Sequence, residues 1–181
     1  MDLSNDTFPE LYTERLLLRK LSPGDELEVF AIRSNEIIHR YLERPRLKRS
    51  SEALDFINRI NEGIKEGNWY YWGIVTKQAS LFVGTICLWN FSPDLQTAEV
   101  GYELLPAHHG KGIMMEALTK VVEFGFNTLS LQSIDAYTHA DNKASTRLLE
   151  KCSFEYSEAG SPPDEHTCQH YVLTRPKWMR I

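Results

Sequence analysis

The chain has 181 residues, enough to bury a core as one domain without help from disulfides or metals. At 42% hydrophobic and 25% charged residues it has the composition of a soluble globular protein; no apolar run reaches the roughly 20 residues of a membrane span, and MDLSNDTFPE lacks the basic-then-apolar pattern of a secretory signal. A formal charge of -5 argues against nucleic-acid binding by phosphate neutralisation and favours a cationic partner, while three widely spaced cysteines, Cys87, Cys152 and Cys168, fit a reducing, cytoplasmic compartment and offer neither a disulfide framework nor a metal site.

TERLLLRK, from Thr13 to Lys20, is an apolar run between charges and predicts a first strand; Ser22-Pro23-Gly24-Asp25 then opens a helix towards Asn35. Ile37 to Lys48 is mixed and basic, with Pro45 as a breaker. Ser50 or Ser51 caps a second helix, which carries Leu54, Ile57 and Ile60 at helical spacing and frays at Gly63 or Gly67. NWYYWGIVTK and LFVGTICLWN, joined by a polar turn at Gln78 to Ser80, predict an antiparallel hairpin. Its aromatics Trp69, Tyr70, Tyr71 and Trp72 read first as core.

After the Ser92-Pro93-Asp94 turn, TAEVGYELL predicts a further strand. Ala98, Val100, Tyr102 and Leu104 share one face, and Glu99, Gly101, Glu103 and Leu105 the other, unless a bulge shifts the phase. PAHHGKGIMMEALTKVVEFGF then sets Gly110 and Gly112 before a helix whose Ile113, Ala117, Val121 and Phe124 mark a buried face, widened by Met114, Leu118 and Val122. SLQSIDAYTH reads as a strand, DNKASTRLLEKC as a helix capped by Asp141 or Asn142, and the remainder as two short strands around a turn from Gly160 to Asp164. There is no internal repeat or linker. The order predicts one domain over residues 1–181, a mixed α/β (α+β) sandwich with a largely antiparallel sheet flanked by helices.

The glycine turn is the first chemical signal. A strand ending at Leu105 and a helix starting near Lys111 leave backbone N–H groups unpaired, and the helix dipole adds positive charge where glycine lets an anion approach the backbone. Lys111 either adds charge or points to solvent. Alone, GxG is more often a plain helix start. There is no GxxxxGK[ST], and no GxGxxG followed by a suitably placed acidic residue, so neither a nucleotide triphosphatase nor a dinucleotide-binding dehydrogenase is indicated.

Taken together, TERLLLR, AEVGYELLPAHHGKGIMMEAL and DNKASTRLLEKCSFEYSEAG resemble the GNAT superfamily of acetyl-CoA-dependent N-acetyltransferases, in particular its RimJ/RimL-like branch, over nearly the whole chain. The resemblance implies a twisted sheet with a splayed strand pair that binds acyl-CoA, no metal, and direct transfer without a covalent enzyme intermediate. The superfamily loop Gln/Arg-x-x-Gly-x-Gly/Ala falls on Ala107 to Gly112, with Ala107 in place of the polar residue. It implies cofactor contacts from His109, Gly110, Lys111, Gly112, Ile113 and Met114, and strand-like pairing of the pantetheine arm near Glu103 to Leu105, with Leu104 and Leu105 in contact and an oxyanion donor near Leu104. A second departure is Ser153, where the family usually has glycine at the helix exit.

For the chemistry, the resemblance implies Glu99 as general base, through water, and Ser145 as the acid that protonates the leaving thiolate, with Asn142 orienting cofactor or water. The plainer readings are a solvated strand carboxylate for Glu99 and helix capping for Asp141, Asn142 and Ser145; capping and catalysis are compatible. Cys152 reads as buried structure rather than a nucleophile.

The resemblance implies a primary amine as acceptor. At pH 7, deprotonating an α-amine costs about 1.4 kcal/mol and a lysine amine about 4.6 kcal/mol. The α-amine is therefore easier, and the RimJ/RimL likeness points to a protein N-terminus, such as that of a ribosomal protein; polyamines and antibiotics stay open as alternatives, as does a non-catalytic acyl-CoA sensor. The acceptor groove falls to Ile37–Lys48, the first two helices and the Gly160–His170 turn. RPRLKR, Arg44 to Arg49, is a solvated loop or else a contact for ribosomal RNA or the coenzyme's 3'-phosphate. Membrane association is not expected, and the oligomeric state stays open, with a homodimer among the options.

Overall fold

In a computed structural model of the protein, residues 8–42, 44–158 and 167–180 are described. Eight strands form one sheet in the order β1-β2-β3-β4-β5-β6-β8-β7, where β1 is Leu11–Tyr12, β2 Leu16–Arg19, β3 Tyr70–Thr76, β4 Phe82–Trp89, β5 Thr97–Leu104, β6 Ser133–His139, β7 Glu155–Ser157 and β8 Cys168–Thr174. Every neighbouring pair is antiparallel except β5 and β6. Helices cover both faces: α1 (Glu26–Ser34), α2 (Glu36–His39) and α3 (Ser51–Lys65) precede β3, α4 (Ile113–Asn127) joins β5 to β6, α5 (Lys143–Lys151) follows β6, and α6 (Arg175–Trp178) follows β8.

Two apolar clusters divide between the faces. On one, the α4 residues Ile113, Met114, Ala117, Leu118, Val121 and Val122 pack with Trp72, Ile74, Ile86, Leu88, Ala98 and Val100. On the other, Val29 and Ile32 of α1 and Ala53, Phe56, Ile57, Ile60 and Ile64 of α3 pack with Tyr71, Val75 and Phe82. Period-two alternation in the strands feeds both clusters. In Trp69-Tyr70-Tyr71-Trp72 it sends Tyr70 and Trp72 to the α4 side and Trp69 and Tyr71 to the α3 side.

Several boundaries differ from expectation. α3 does not fray at Gly63, which is buried inside it; a Cβ there would come within 2.0 Å of the Trp69 ring, so this glycine admits the indole. The chain leaves the helix instead at Gly67, with φ 76°. β5 keeps its phase, and the one register irregularity among these strands lies between Ile74 and Val75. Ser153 does adopt the left-handed conformation, φ 66°, and Phe154 N donates to Leu149 O at 3.0 Å to close α5. The expected turn from Gly160 to Asp164 lies outside the described residues.

Candidate active site

β5 and β6 are in register only at Thr97–Ser133, Ala98–Ile134 and Glu99–Asp135. Beyond that point β6 stays with β8, as far as His139–Cys168, while β5 stays with β4, as far as Leu104–Gly84. The two strands therefore fork. Leu105 N donates to Val83 O at 2.9 Å, so by antiparallel alternation Gly101 and Glu103 turn their peptide groups to β4, and Val100, Tyr102 and Leu104 turn theirs into the fork. Leu104 O accepts a hydrogen bond from His109 Nε2 at 2.9 Å, which assigns the proton to that nitrogen. Leu105 has both backbone groups engaged, its N–H on Val83 and its C=O on His108 N, and the Leu104 C=O is taken by His109, so backbone pairing inside the fork falls to Tyr102 and the Leu104 N–H rather than to Leu105.

At the mouth of the fork lies the glycine turn. Gly110 and Gly112 have φ 71° and 73°, and a Cβ on Gly110 would meet nothing within 4 Å. Gly112 is the N-cap of α4 and supplies no side-chain cap, so the first-turn amides of Ile113 and Met114 have no partner within the helix, while their side chains sit in the core. The turn is clamped from the connection between β1 and β2. Arg15 Nη1 donates to Lys111 O at 3.1 Å, Arg15 Nε to Glu116 Oε2 at 2.6 Å, and Arg15 N to Glu116 Oε1 at 2.9 Å, an oxygen that also accepts from Thr13 Oγ1 at 2.5 Å. No sequence pattern signalled this clamp, because its partners lie about a hundred residues apart.

Within the fork, Tyr102 Oη and Ser145 Oγ are 2.8 Å apart. Asn142 is the N-cap of α5, its Oδ1 accepting from Ser145 N at 3.2 Å; the cap and the serine thus belong to one arrangement. Burial pushes the Tyr102 hydroxyl well above its ordinary range, with the Ser145 bond opposing, so the phenol stays protonated and able to donate at neutral pH. Tyr102 was legible only as a face residue of β5; its pairing with α5 was not. Cys152 is held above its ordinary range by burial, with a Thr119 hydrogen bond opposing, and so remains a thiol, as expected of a structural residue.

Glu99 closes the fork. It is half-buried, accepts from Asn90 Nδ2 at 2.5 Å, and faces Asp135 in the last β5–β6 pair. Burial raises its pKa and Asp135 adds to the rise, while the Asn90 bond and His170 oppose it. His170 is buried, donates from Nε2 to Asp135 Oδ1 at 2.8 Å, stacks on Tyr137, and leaves its buried Nδ1 without a partner.

On the α1–α3 side of β5, beside Gly101 and Glu103, lies a cavity of about 410 Å³, within the range of small-molecule sites. Phe56, Ile60, Trp69, Tyr71, Leu42 and Trp89 wall it. Trp69 is fixed by donation from its Nε1 to Ile60 O at 2.9 Å, and Tyr71 by its hydroxyl on Thr85 Oγ1 at 3.1 Å. Its charged groups are Arg33, Arg44 and Glu103. Glu103 forms an ion pair with Arg44 and stands 3.8 Å from Arg33 Nη1. Burial pushes the Glu103 carboxyl up to about 7, opposed by Arg33 and His39; contact with Arg44 acts in the same sense as Arg33. Burial likewise pushes the Cys87 thiol up to about 12, so it is no nucleophile.

In RPRLKR only Arg44 turns inward, to Glu103; Arg46 and Arg49 stay exposed and pair at the surface with Glu36 at 2.6 Å and Glu52 at 3.6 Å. A smaller cavity of about 140 Å³ near the β4–β5 hairpin, bordered by Leu95, Leu129 and Leu131, lies away from these groups. Among the described residues no helix is long and apolar enough to cross a membrane, and no group of three or more metal-ligating side chains converges.

The fold is a mixed α/β sheet with a forked strand pair, and comparison places it more narrowly. Residues 15–155 match the acetyltransferase (GNAT) domain family, and the chain belongs to that family. It is 34% identical over 178 residues to YoaA, an uncharacterized N-acetyltransferase of Bacillus subtilis strain 168, covering 94% of this chain and 99% of the relative. Among solved structures, RimL, a ribosomal L7/L12 α-N-protein acetyltransferase in complex with coenzyme A, superposes with a TM-score of 0.81 at 15% identity, over 93% of this chain and 99% of that one. Spermidine N-acetyltransferase of Vibrio cholerae, in complex with CoA and spermine, superposes at 0.77 with 19% identity, over 92% and 99%. The protein is an acyltransferase of the N-acetyltransferase type, and enzymes of this family use acetyl-CoA.

Proposed function

We propose that the whole chain is one acetyltransferase domain that moves an acetyl group from acetyl-CoA to a primary amine by direct attack, most readily the α-amine of a protein or peptide N-terminus, in the manner of the RimJ/RimL branch. The observation that carries this reading is the fork, where a strand edge with free peptide groups leads from an anion-binding glycine turn to a half-buried carboxylate. The open space at Gly110 and the partnerless first-turn amides suit the pyrophosphate of coenzyme A, and the exposed edge of Tyr102 and Leu104 suits its pantetheine arm. His109, Lys111, Ile113 and Met114 are the remaining contacts assigned to the cofactor, with Asn142 holding the α5 terminus beside it.

Acetyl-CoA supplies the acetyl group as a thioester. Glu99 takes the proton of the acceptor ammonium through water, made more basic by its burial beside Asp135. The Leu104 N–H faces the carbonyl oxygen that gains charge. The neutral amine forms the C–N bond, the C–S bond breaks as the tetrahedral intermediate collapses, and the departing sulfur takes a proton from Ser145 of α5, which is replaced through the Tyr102–Ser145 hydroxyl pair by the proton shed from the new amide nitrogen. Family membership and the ease of deprotonating an α-amine support the acceptor class, and a ribosomal-protein N-terminus is the acceptor favoured by the RimL likeness.

The test is thiol release from acetyl-CoA, followed across α-amine peptides, lysine peptides, polyamines and aminoglycosides. Highest kcat/KM on α-amine peptides is expected. Tight acetyl-CoA binding with no thiol release for any amine would instead identify an acyl-CoA sensor.

A further inference from the structure

The charges that line the acceptor side do not match the charge of the protein as a whole. At formal charge -5 the chain looks suited to a cationic partner, yet two guanidinium groups, Arg33 and Arg44, meet a single carboxylate, Glu103, at the base of the 410 Å³ cavity. That base is positive whether or not Glu103 carries a proton. Arg44 is committed to Glu103, but Arg33 Nη1 is 3.8 Å from it, beyond hydrogen-bond reach. Among the described residues the Nε atoms of both arginines are buried without a partner. Buried donors left in this way are uncommon and costly, and an oxygen supplied by an occupant relieves them. Arg33 is also held in place, its guanidinium carbon 3.9 Å from the centre of the Phe56 ring, so a bound anion finds a preorganised donor.

The opposite end of the same sheet face is negative. Glu99 lies on the face of β5 that carries Gly101 and Glu103, its register partner Trp89 borders the cavity, and Asp135 stands beside it. Glu103 lies four residue steps along the strand from Glu99, roughly 14 Å between Cα atoms. Gly101, between them, adds no side chain to fill the space. The aromatic walls lie between the two poles.

Resting on the acetyltransferase reading above, we propose that the cavity selects an elongated amine with an apolar or aromatic body and a carboxylate at its far end, which Arg33 binds while the amine reaches Glu99, and that it turns polyamines away. The carboxylate has two possible sources, the C-terminus of a very short peptide or other small amino acid, and an acidic side chain near a protein N-terminus. Both offer the same group to Arg33. A polyamine would set a second ammonium against the guanidinium groups instead.

The experiment uses the full-length enzyme and four acceptors: the peptide amides Ala-Phe-Glu-NH2 and Ala-Phe-Gln-NH2, the free-acid dipeptide Ala-Phe, and spermidine. Thiol release gives kcat and KM, and calorimetry in the presence of coenzyme A gives Kd. At least one carboxylate-bearing acceptor should show a KM tenfold or more below that of the Gln peptide, with spermidine weaker than both. Whichever of the Glu peptide and the free-acid dipeptide is preferred identifies the source. Arg33→Met should raise KM for the preferred acceptor about tenfold more than it raises KM for the Gln peptide, and so erase the discrimination.

Equal use of the Gln peptide, or a preference for spermidine, overturns the proposal while leaving acetyl transfer intact. Acetyl-CoA binding without transfer to any amine removes the acetyltransferase reading instead. In that case the Kd series decides: tighter binding of a carboxylate-bearing member sustains the selectivity, and equal binding overturns it. Should Arg33→Met fail to fold, the wild-type acceptor series decides alone.

Discussion

On one side of β5 the protein is built to present peptide groups, and on the other to present side chains. The glycine turn and the fork edge depend on backbone conformation: two left-handed glycines, an uncapped helix start and a strand whose neighbour has moved away. The arginine-floored cavity depends on residues from α1, the segment before α3, α3 itself, and β3 to β5. A backbone site can hold a group common to every member of a family without constraining the rest of the sequence. A side-chain site can change its occupant by substitution while the fold stays fixed, so the two halves of one reaction are free to evolve at different rates.

The largest expected effect tests the backbone side. Gly110→Glu combines a left-handed residue with a charge aimed at phosphates and should weaken acetyl-CoA binding roughly 10³-fold by calorimetry. Gly110→Ala, which meets open space, should lose only the conformational part, about tenfold. Near-native affinity in the glutamate variant would show that the turn does not hold the cofactor.

Next comes the carboxylate where the two sides meet. Glu99→Gln should lower kcat/KM by about 10². Glu99 must be ionised to accept a proton, and burial raises its pKa, so wild-type kcat/KM should climb with pH through a midpoint above the ordinary glutamate range. That limb should vanish in the variant; its persistence would assign the base elsewhere.

Tyr102→Phe and Ser145→Ala should each lower kcat about tenfold, with acetyl-CoA affinity little changed. Because the two hydroxyls are one hydrogen-bonded pair, the double variant should be little worse than the more damaging single one. Full multiplication of the two losses would mean that they act separately. The smallest effect lies outside both regions: Ser153→Gly relieves the left-handed serine at φ 66° and should stabilise the protein by about 1 kcal/mol, read as a higher melting temperature, with kinetics unchanged.

This division also accounts for what could be read in advance. The alternation of Ala98, Val100, Tyr102 and Leu104 against Glu99, Gly101 and Glu103, the helix start after Gly112 and the cap at Asn142 are local patterns, and each can be read within one window of sequence. The two-residue β1 and the four-residue α2 and α6 are too short to show a period. The choice between Gly63 and Gly67 as the end of α3 stays open in the sequence because what decides it, the Trp69 ring against Gly63, is a contact in space. Arg33, Arg44 and Glu103 come from three separate segments, and a basic run on paper gave no sign that its first arginine turns inward. Glu99 and Ser145 are proposed from the family resemblance, whereas the Asp135–His170 and Tyr102–Ser145 contacts needed three dimensions.

The Arg15–Glu116 clamp makes the glycine turn an extension of the amino-terminal hairpin, since Thr13, Arg15 and the start of α4 share one hydrogen-bonded node. If the turn holds the pyrophosphate as proposed, its ordering would reach the β1–β2 edge of the sheet through that node. By linkage, saturation with coenzyme A should slow amide hydrogen exchange at Arg15 and Leu16 as well as at Ile113 to Glu116. The first strands, remote from the fork along the sheet, would then report its occupancy.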